Sequence, residues 1–287
     1  MPYRDEHAVD AGELGGARDC PRAGVRIGDR TTPRSFNRFE LKYVADIWQA
    51  RRFRDDIRSL LEPDPFSGNG SYQVWSRYYD TSDLRCYWEK IDGIKFRRKL
   101  RIRHYGDPHE ITASMPVGVE IKQRVNRVTQ KRRVVLPYKD ALRLCDGRTE
   151  VDHQACDRPV VDEVLTMAHE RDLRPVAVVG YHRFALVGTG ADSGLRVTFD
   201  TRLSGRDRDL DLAVDAPNRH VVSPDLTVIE LKVDDRVPTW LSRRVAGHNL
   251  QLRRLSKYCQ TVEVFGQAPR SAFHVAHTAE HEGLVPA

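Results

Sequence analysis

The chain has 287 residues, of which 40% are hydrophobic and 31% charged, with a formal net charge of +6 and an isoelectric point near 9.1. This length can bury one sizeable core, and the surplus of positive charge favours an anionic partner without choosing between nucleic acid, a membrane surface and phosphate ligands. Five scattered cysteines without a Cys-x-x-Cys pair and no apolar stretch near ~18 residues argue against a disulfide framework, a zinc site and a membrane span, so we expect a soluble cytoplasmic protein.

The two ends of the chain are poor in large apolar residues and predict flexible tails. Residues 1–35 form a predicted disordered leader, in which six Arg are balanced by six Asp and Glu. Residues 266–287 form a predicted flexible tail with one Arg and two Glu. Since these tails contribute 0 and −1 to the total of +6, the domain predicted over 36–265 carries +7.

Between the tails, alternation of apolar and polar residues predicts strands, and longer amphipathic segments predict helices. The predicted strands, in chain order, are Phe39–Tyr43, Gln73–Tyr79, Lys95–Tyr105, Val117–Gln123, Gln130–Leu136, Val176–Leu186, Leu195–Thr201 and Thr227–Val233. The predicted helices run from an N-cap at Asp46 to about Leu61, over Asp140–Cys145, over Asp162–Ala168, and from an N-cap at Thr239 to Tyr258 with an interruption at His248 and Asn249. Short connections between strands favour antiparallel neighbours, so the expected fold class is α+β with a large antiparallel sheet.

A Glu-aliphatic-Lys triplet occurs three times in these strands, at 40–42, 120–122 and 230–232. Residues two apart in a strand share a face, so each triplet puts a carboxylate and an ammonium on one face and a Leu or Ile on the other. Further strands add charged or polar side chains in the same rhythm: Lys99, Arg101 and Arg103; Lys131 and Arg133; Tyr181 and Arg183; Arg196, Thr198 and Asp200.

Two interpretations of this charged face are open for any single triplet. It can be the wet face of an ordinary antiparallel sheet, or it can face inward if helices cover the apolar face and the sheet closes into a barrel of about eight strands. Taken together, the triplets favour a closed antiparallel barrel with a charged tunnel, helices packed outside and a C-terminal helix near the tunnel end.

A tunnel lined by Lys and Arg would repel itself unless polyanions filled it, and the donor fork of Arg suits phosphate oxygens. Carboxylates in a phosphate site indicate Mg²⁺ or Mn²⁺, which take oxygen ligands, and the candidates are Glu40, Glu120 and Glu230. The sequence has no Gly-rich phosphate loop and no protein-kinase signature, so phosphate would have to be bound by side chains.

Seven stretches, in order, resemble the VTC domain, the polyphosphate polymerase module of the vacuolar transporter chaperone type within the triphosphate tunnel metalloenzymes. They begin at Arg38, Tyr78, Val119, Val179, Leu195, Val228 and Leu255, and read RFELKYV, YYDTSDLRCYWEKIDGIKFRRKLRIRHYG, VEIKQRVNRVTQKRR, VGYHRFALVG, LRVTFD, VIELKVDDRVPTWL and LSKY. Together they cover essentially all of 36–260. The resemblance implies a closed antiparallel barrel around a tunnel.

The resemblance also implies roles for single residues. The basic residues expected to act in catalysis are Arg101, Arg103, Arg183, Arg196 and Lys122. The residues expected to bind phosphate are Lys42, Lys131, Arg133, Tyr181, Lys232, Ser256 and Lys257. The resemblance implies that Glu230 coordinates the metal, while Glu120 and Glu40 are further candidate ligands from the triplet pattern, and the cofactor is expected to be Mn²⁺ or Mg²⁺.

The implied activity is transfer of the γ-phosphoryl group of ATP to a growing polyphosphate chain. Hydrolytic relatives open with Glu-x-Glu-x-Lys, whereas Arg38 stands at the first position here, which argues against a triphosphatase. A triphosphate or nucleoside-triphosphate hydrolase and a non-catalytic polyphosphate-binding module remain alternatives.

The expected partners are ATP and inorganic polyphosphate or pyrophosphate. Nucleic acid is not expected, because Glu interleaved with the cations would repel a phosphate backbone. No transmembrane segment is predicted, and the sequence leaves open whether a membrane protein is a partner.

Overall fold

The computed structural model describes residues 39–67, 70–126 and 128–268. The strands are β1 (Phe39–Asp46), β2 (Glu62–Pro63), β3 (Tyr72–Asp80), β4 (Phe96–Tyr105), β5 (Pro116–Val125), β6 (Val128–Pro137), β7 (Arg174–Val187), β8 (Arg196–Arg206), β9 (Arg219–His220) and β10 (Leu226–Val233). The α-helices are α1 (Ile47–Ile57), α2 (Arg85–Ile91), α3 (Tyr138–Cys145), α4 (Arg158–Glu170), α5 (Thr239–Gly247) and α6 (Lys257–Val264). The predicted leader, Arg38 and all but the first three residues of the predicted tail lie outside the described residues.

One antiparallel sheet dominates the fold and confirms the predicted α+β class. Its main strands run in the order β1-β10-β8-β7-β3-β4-β5-β6, with β2 paired to β7 and β9 paired to β8. All eight predicted strands are present, and most are longer than the alternation indicated. The sheet is strongly curled, so one face is concave and the other convex.

The closed barrel expected from the sequence is not found in the described residues. β1 and β6 end the strand order, and no backbone pairing joins them there. Part of the reason lies at the free edge of β1, where Leu252 forms an isolated antiparallel bridge with Tyr43 and the Arg253 amide donates to the Lys42 carbonyl at 2.8 Å. This segment occupies hydrogen-bonding groups that closure would need.

Helices cover the convex face, as the sequence predicts. One apolar cluster joins β4, β5 and β6 to α3 and α4, through Leu100, Ile102, Val119, Ile121, Val134, Ala141, Leu144, Val161 and Val164. A second joins β1, β8 and β10 to α1 and α5, through Tyr43, Phe53, Ile57, Val197, Phe199, Ile229, Leu231 and Leu241. Since the convex face is buried in this way, the charged residues that alternate with these side chains lie on the concave face.

Local contacts set the helix boundaries, and several of these differ from the predictions. Asp46 caps α1 as predicted, since its side chain accepts hydrogen bonds from the amides of Trp48 and Gln49 at 2.9 and 2.8 Å, but α1 ends at Ile57 rather than near Leu61. The short helix α2 was not predicted. The helix predicted from Thr239 to Tyr258 is interrupted at His248 and Asn249 as expected, but the interruption is longer than predicted, because residues 248–256 are irregular and pair in part with β1. Thr239 is the first helical residue of α5 and not its N-cap.

Helix α6 lies against one end of the concave face. Its side chains pack in an apolar cluster with Val74 and Tyr78 of β3 and with Ala177 and Val179 of β7. Its residues from Lys257 to Glu263 are all buried, which is expected of a helix enclosed on every side. In the described part of the chain, no helix is both long enough and apolar enough to cross a lipid bilayer.

Candidate active site

The charged residues of the concave face fall into two groups, each built around a buried glutamate. Glu120 on β5 lies opposite Arg101 of β4 and Arg133 of β6. Glu230 on β10 lies opposite Lys42 of β1. Directly paired residues of antiparallel strands share a face, so the sheet register itself brings each set together.

The Glu120 group consists of Glu120, Arg101, Lys131 and Arg133. Arg101 donates Nε and Nη2 to Oε2 of Glu120 at 2.9 and 2.6 Å, and Lys131 Nζ lies 3.3 Å from Oε1. Burial alone would raise the pKa of Glu120, but Arg101 and Lys131 hold it well below the usual range. With three cations around one carboxylate, this group is net positive.

Arg103 lies beside this group and has an unusual set of partners. It is buried, donates Nε to Ser76 Oγ at 3.0 Å and Nη2 to the Tyr181 hydroxyl at 3.2 Å, and forms no ion pair with a carboxylate of the described residues. Burial favours loss of its charge, but Tyr181, Tyr105 and Glu120 raise its pKa well above the ordinary value. Its positive charge is therefore retained and available to a ligand.

Arg133 has hydrogen-bond donors that no described residue accepts. Its Nε and Nη2 are buried without a hydrogen-bond acceptor among the described residues, and its Nε lies 3.8 Å from Glu120 Oε1. Its position depends on Gly118, because a Cβ there would lie 2.6 Å from Nε of Arg133. Buried unsatisfied donors cost free energy, and an anionic ligand with several oxygens removes that cost.

The Glu230 group consists of Glu230, Asp200 and Glu40 with Lys42, Lys232, Lys257 and Arg183. The ammonium groups of Lys257, Lys232 and Lys42 lie 2.6, 2.9 and 3.2 Å from oxygens of Glu230. Arg183 donates Nε and Nη2 to the two oxygens of Asp200, each at 2.7 Å. This group is therefore close to charge balance.

The lysines of this group differ in pKa. Burial alone would lower the pKa of Lys42, but Glu230 and Glu40 raise it above the ordinary value. For Lys232, burial prevails, Glu230 offsets it only in part, and the pKa falls to about 7. Burial would also lower the pKa of Lys257, but Asp200 and Glu230 raise it.

Tyr181 and Lys122 connect the two groups. The Tyr181 hydroxyl accepts from Arg103, while Lys257 Nζ and Arg183 Cζ lie 4.8 and 5.1 Å from the centre of its ring. Lys122 of β5 donates to Glu40 Oε2 of β1 at 2.8 Å, which joins the two sides of the curled sheet through side chains. The concave face is thus one continuous charged surface.

Two further predicted site residues have local structural partners. Arg196 forms an ion pair with the buried carboxylate of Asp64 and donates Nη2 to the Tyr72 hydroxyl at 3.1 Å, while its Nε is buried without an acceptor in the described residues. Ser256 is the N-cap of α6, where its Oγ accepts from the Cys259 amide at 3.4 Å. The capping bond fixes the helix start that carries Lys257.

The three glutamates predicted as metal ligands are not brought together. Within residues 39–67, 70–126 and 128–268, no cluster of three or more Asp, Glu, His or Cys side chains is arranged to hold a metal ion. Glu40 and Glu230 are neighbours, since both contact the Lys42 ammonium, at 3.0 and 3.2 Å. Glu120 belongs to the other group and is held by Arg101 and Lys131. A metal shell at Glu40 and Glu230 would need further oxygens from a ligand.

Several residues of the site were not among the predicted ones. Asp200 links Arg183 and Lys257, and its alternation with Arg196 and Thr198 was the available signal. Tyr78 accepts from Arg101 Nη1 at 3.0 Å. Burial would raise the pKa of Tyr78, but Arg101 and Arg103 lower it to about 8.

Comparison with protein families and characterised proteins relates the chain to one family. The model of the VTC domain family matches residues 37–265. Subunit 4 of the vacuolar transporter chaperone complex of Trypanosoma brucei brucei (strain 927/4 GUTat10.1) is 23% identical over 232 residues, covering 68% of this chain and 29% of that protein. The Trypanosoma cruzi (strain CL Brener) subunit 4 is 24% identical over 234 residues, covering 68% and 28%. The chain thus spans less than a third of the length of these relatives.

Solved structures with a similar chain trace are distant in sequence. A Vibrio parahaemolyticus protein provisionally named as an adenylate cyclase gives a TM-score of 0.41 at 12% identity, covering 77% of this chain and 95% of that one. A Pyrococcus horikoshii OT3 protein gives a TM-score of 0.40 at 12% identity, covering 79% and 99%.

Proposed function

This chain belongs to the VTC domain family, and on that premise we propose that it is a polyphosphate polymerase, which transfers the γ-phosphoryl group of ATP to the end of a polyphosphate chain and releases ADP. The observation that carries the proposal is the set of buried cations on the concave face whose charge or donors the described residues leave unsatisfied. Among the described residues, Arg103 donates hydrogen bonds only to hydroxyl groups, and Arg133 has two buried donors without an acceptor. A chain of phosphates supplies oxygens to both.

Phosphoryl transfer needs in-line positioning and neutralisation of phosphate charge more than covalent chemistry from the protein. An oxygen of the terminal phosphate of the chain attacks the γ-phosphorus of ATP, a new P–O bond forms, and the bond to the bridging oxygen of ADP breaks. That oxygen is already ionised, so no strong general base is required. The proposed role of the cationic residues of the concave face is therefore to hold ATP and the end of the polyphosphate chain next to each other.

The two charged groups divide that work. Arg103 and Arg133, on the net positive side, bind the oxygens that carry most charge during transfer. Arg183 and Lys257 are fixed by Asp200 and Glu230, so they approach the phosphates as pre-oriented donors. Pre-orientation matters because donors that need no reorganisation stabilise developing charge best.

We also propose that Mn²⁺ or Mg²⁺ takes part, held by Glu230 with Glu40 beside it. Divalent cations of this kind are commonly bound by one or two carboxylates together with phosphate oxygens and water, which fits a pair of neighbouring glutamates and a phosphate ligand. When bound, such an ion neutralises phosphate charge and helps to orient the transferred group. Glu120 is assigned a different role, which is to hold Arg101 and Lys131 in place.

The curated relatives are named as subunits of a complex, and each is more than three times as long as the region that matches this chain. We propose that this chain likewise works with partner subunits. The surface that binds them is not assigned.

The direct test is to incubate the purified chain with ATP and Mn²⁺ and to resolve the products on a gel that separates polyphosphate by length. We expect an acid-stable polymer that a polyphosphatase removes, and ADP in equal amount to the phosphate incorporated. The Arg103→Met variant should form polymer at least about 100-fold more slowly. ADP and free orthophosphate without polymer would contradict the proposal and indicate a hydrolase, and ATP binding without turnover would indicate a binding module.

A further inference from the structure

Three aromatic rings form a cluster at the end of the concave face that lies away from α6. Phe66, Tyr72 and Tyr105 have ring centres 6.2 to 6.5 Å apart in all three pairs, and the rings of Phe66 and Tyr105 are within 23° of parallel. Phe66 is 41% exposed, and the two tyrosines are half-buried. Phe66 and Tyr105 are thus nearly parallel, Tyr72 is inclined to both by 61° and 49°, and the cluster presents a partly exposed apolar surface inside a charged site.

The strand register places this aromatic cluster on the same face as the phosphate-binding candidates. Tyr72 lies directly opposite Arg183. Tyr105 shares the inward alternation of β4 with Arg103 and Arg101, which lie about 7 and 14 Å further along the strand at ~3.4 Å per residue. Helix α6 packs beside Tyr78 and Ala177, at the other end of β3 and β7, and Phe66 is 41% exposed, so within the described residues the aromatic end is the one accessible to solvent.

Cations with unsatisfied donors surround the aromatic cluster. Arg196 donates to the Tyr72 hydroxyl, and Arg133 and Arg103 lie 5.7 and 5.9 Å from the centre of the Tyr105 ring. Buried donors of Arg133 and Arg196 have no acceptor in the described part of the chain. An aromatic surface next to such donors suits a ligand that is flat and apolar at one end and phosphorylated at the other.

We propose that the cluster of Phe66, Tyr72 and Tyr105 binds the nucleobase of a nucleoside triphosphate, with the base stacked at the open end and the phosphates directed inward to Arg133, Arg196 and Arg103. This inference deepens the proposed function and rests on it for the identity of the phosphate donor. An inorganic phosphate chain has no surface that stacks on these rings. The cluster therefore distinguishes the nucleotide donor from inorganic triphosphate.

The test compares binding of ATP with binding of inorganic triphosphate to the full chain by titration calorimetry. We expect Phe66→Ala to weaken ATP binding about tenfold, the effect of losing one base–aromatic stack, and to leave triphosphate binding within about twofold. Phe66→Trp should keep or strengthen ATP binding. Phe96→Ala is the matched control, because Phe96 is 45% exposed but its even position in β4 puts it on the face opposite Tyr105. It should change neither ligand's affinity.

Equal weakening of ATP and triphosphate by Phe66→Ala, or unchanged ATP binding, would overturn the inference. Thermal unfolding of each variant shows whether the loop around Phe66 has been lost, and Phe66→Trp still tests stacking if the alanine variant unfolds. Failure of the two proposals can be told apart. If the chain makes no polymer but Phe66→Ala weakens ATP binding selectively, the polymerase proposal fails and the nucleobase site stands. If the chain makes polymer but each substitution affects ATP and triphosphate binding equally, the nucleobase site fails and the polymerase proposal stands.

Discussion

The Glu120 and Glu230 groups face each other on one concave surface, yet their charges are balanced in different ways. Around Glu120, three cations share one carboxylate, and Arg103 next to them pairs with none of the described carboxylates. Around Glu230, three carboxylates meet four cations, and most of these cations contact two acidic groups. We infer that the buried cations around Glu230 balance the protein's own carboxylates, whereas Arg103 beside the Glu120 group is available to a ligand.

This contrast has separate consequences for stability and for activity. Removing a cation that is part of the charge balance leaves buried carboxylates uncompensated, which destabilises the fold. Removing a cation kept for a ligand spares the fold and weakens binding and turnover. The following substitutions test whether the two groups differ in this way.

The largest effect on stability is expected from Arg183→Met. It removes two hydrogen bonds from Asp200, which keeps only Lys257 as a cationic partner among the described residues, and it leaves Glu230 with one cation fewer, so the free energy of unfolding should fall by about 3–5 kcal/mol. Guanidinium chloride denaturation measures this. Arg103→Met removes only hydrogen bonds to two hydroxyl groups and should cost about 1–2 kcal/mol. Equal losses in the two variants would show that the groups do not differ.

The largest effect on turnover with a preserved fold is expected from Arg103→Met. Because Arg103 offers its charge to the transferring phosphate, kcat should fall about 100- to 1,000-fold. Arg98→Met is the control on the same strand, since Arg98 lies on the opposite face and pairs with Glu163 at 3.7 Å. It should change kcat less than about threefold. A comparable loss in both variants would indicate a general effect on β4.

A smaller and more specific effect is expected when each central glutamate is made neutral. Glu230→Gln should raise the Mn²⁺ concentration for half-maximal activity at least about tenfold, because it weakens one of two neighbouring carboxylate ligands. Glu120→Gln should leave that concentration within about threefold and instead lower kcat, because Arg101 and Lys131 lose their anionic partner. An equal shift in metal dependence for both variants would contradict the assignment of the metal to the Glu230 group.

The smallest expected effect is a pH dependence of phosphate binding that comes from Tyr78. Its pKa is lowered to about 8 because Arg101 and Arg103 outweigh the effect of burial, so it becomes a phenolate above that pH. A bound polyanion disfavours the phenolate and raises this pKa, and linkage then requires affinity for triphosphate to fall as the pH rises through about 8. We expect a roughly three- to tenfold loss between about pH 7 and pH 9, flattened in Tyr78→Phe. The same slope in that variant would assign the effect to another group.

The sheet and its charged face were predictable because both follow from alternation along single strands. Three consecutive residues are enough to show that a Glu and a Lys share a face, as in Glu40 with Lys42, Glu120 with Lys122 and Glu230 with Lys232. The sequence also indicated that helices cover the apolar face, and this is observed. What alternation leaves undetermined is which strands pair and in what register, and the division into two charged groups depends on that register.

The failed predictions share a dependence on distant contacts. Helix α2 follows Asp80, whose carboxylate accepts hydrogen bonds from the amides of Cys86 and Tyr87. Apolar periodicity does not predict a helix start of this kind. The interruption of the C-terminal helix was predicted at His248 and Asn249, but its extension to Ser256 was not, since it depends on the pairing of Leu252 with Tyr43, more than 200 residues earlier in the chain. Glu120 as a metal ligand is not one of these failures and stays a prediction. The sequence did not show that Arg101 of β4 and Lys131 of β6 contact its carboxylate, because these residues lie on other strands. The aromatic cluster of Phe66, Tyr72 and Tyr105 was also not predicted, since its three rings come from separate parts of the chain.

A structure with bound inorganic triphosphate tests the central claim most directly, since that claim places the phosphate chain between the Glu120 and Glu230 groups. We expect phosphate oxygens within hydrogen-bonding distance of Arg103 and Arg133 on one side and of Arg183 or Lys257 on the other. Triphosphate bound on the convex side, or outside the concave face with these four residues still in their present contacts, would contradict the claim.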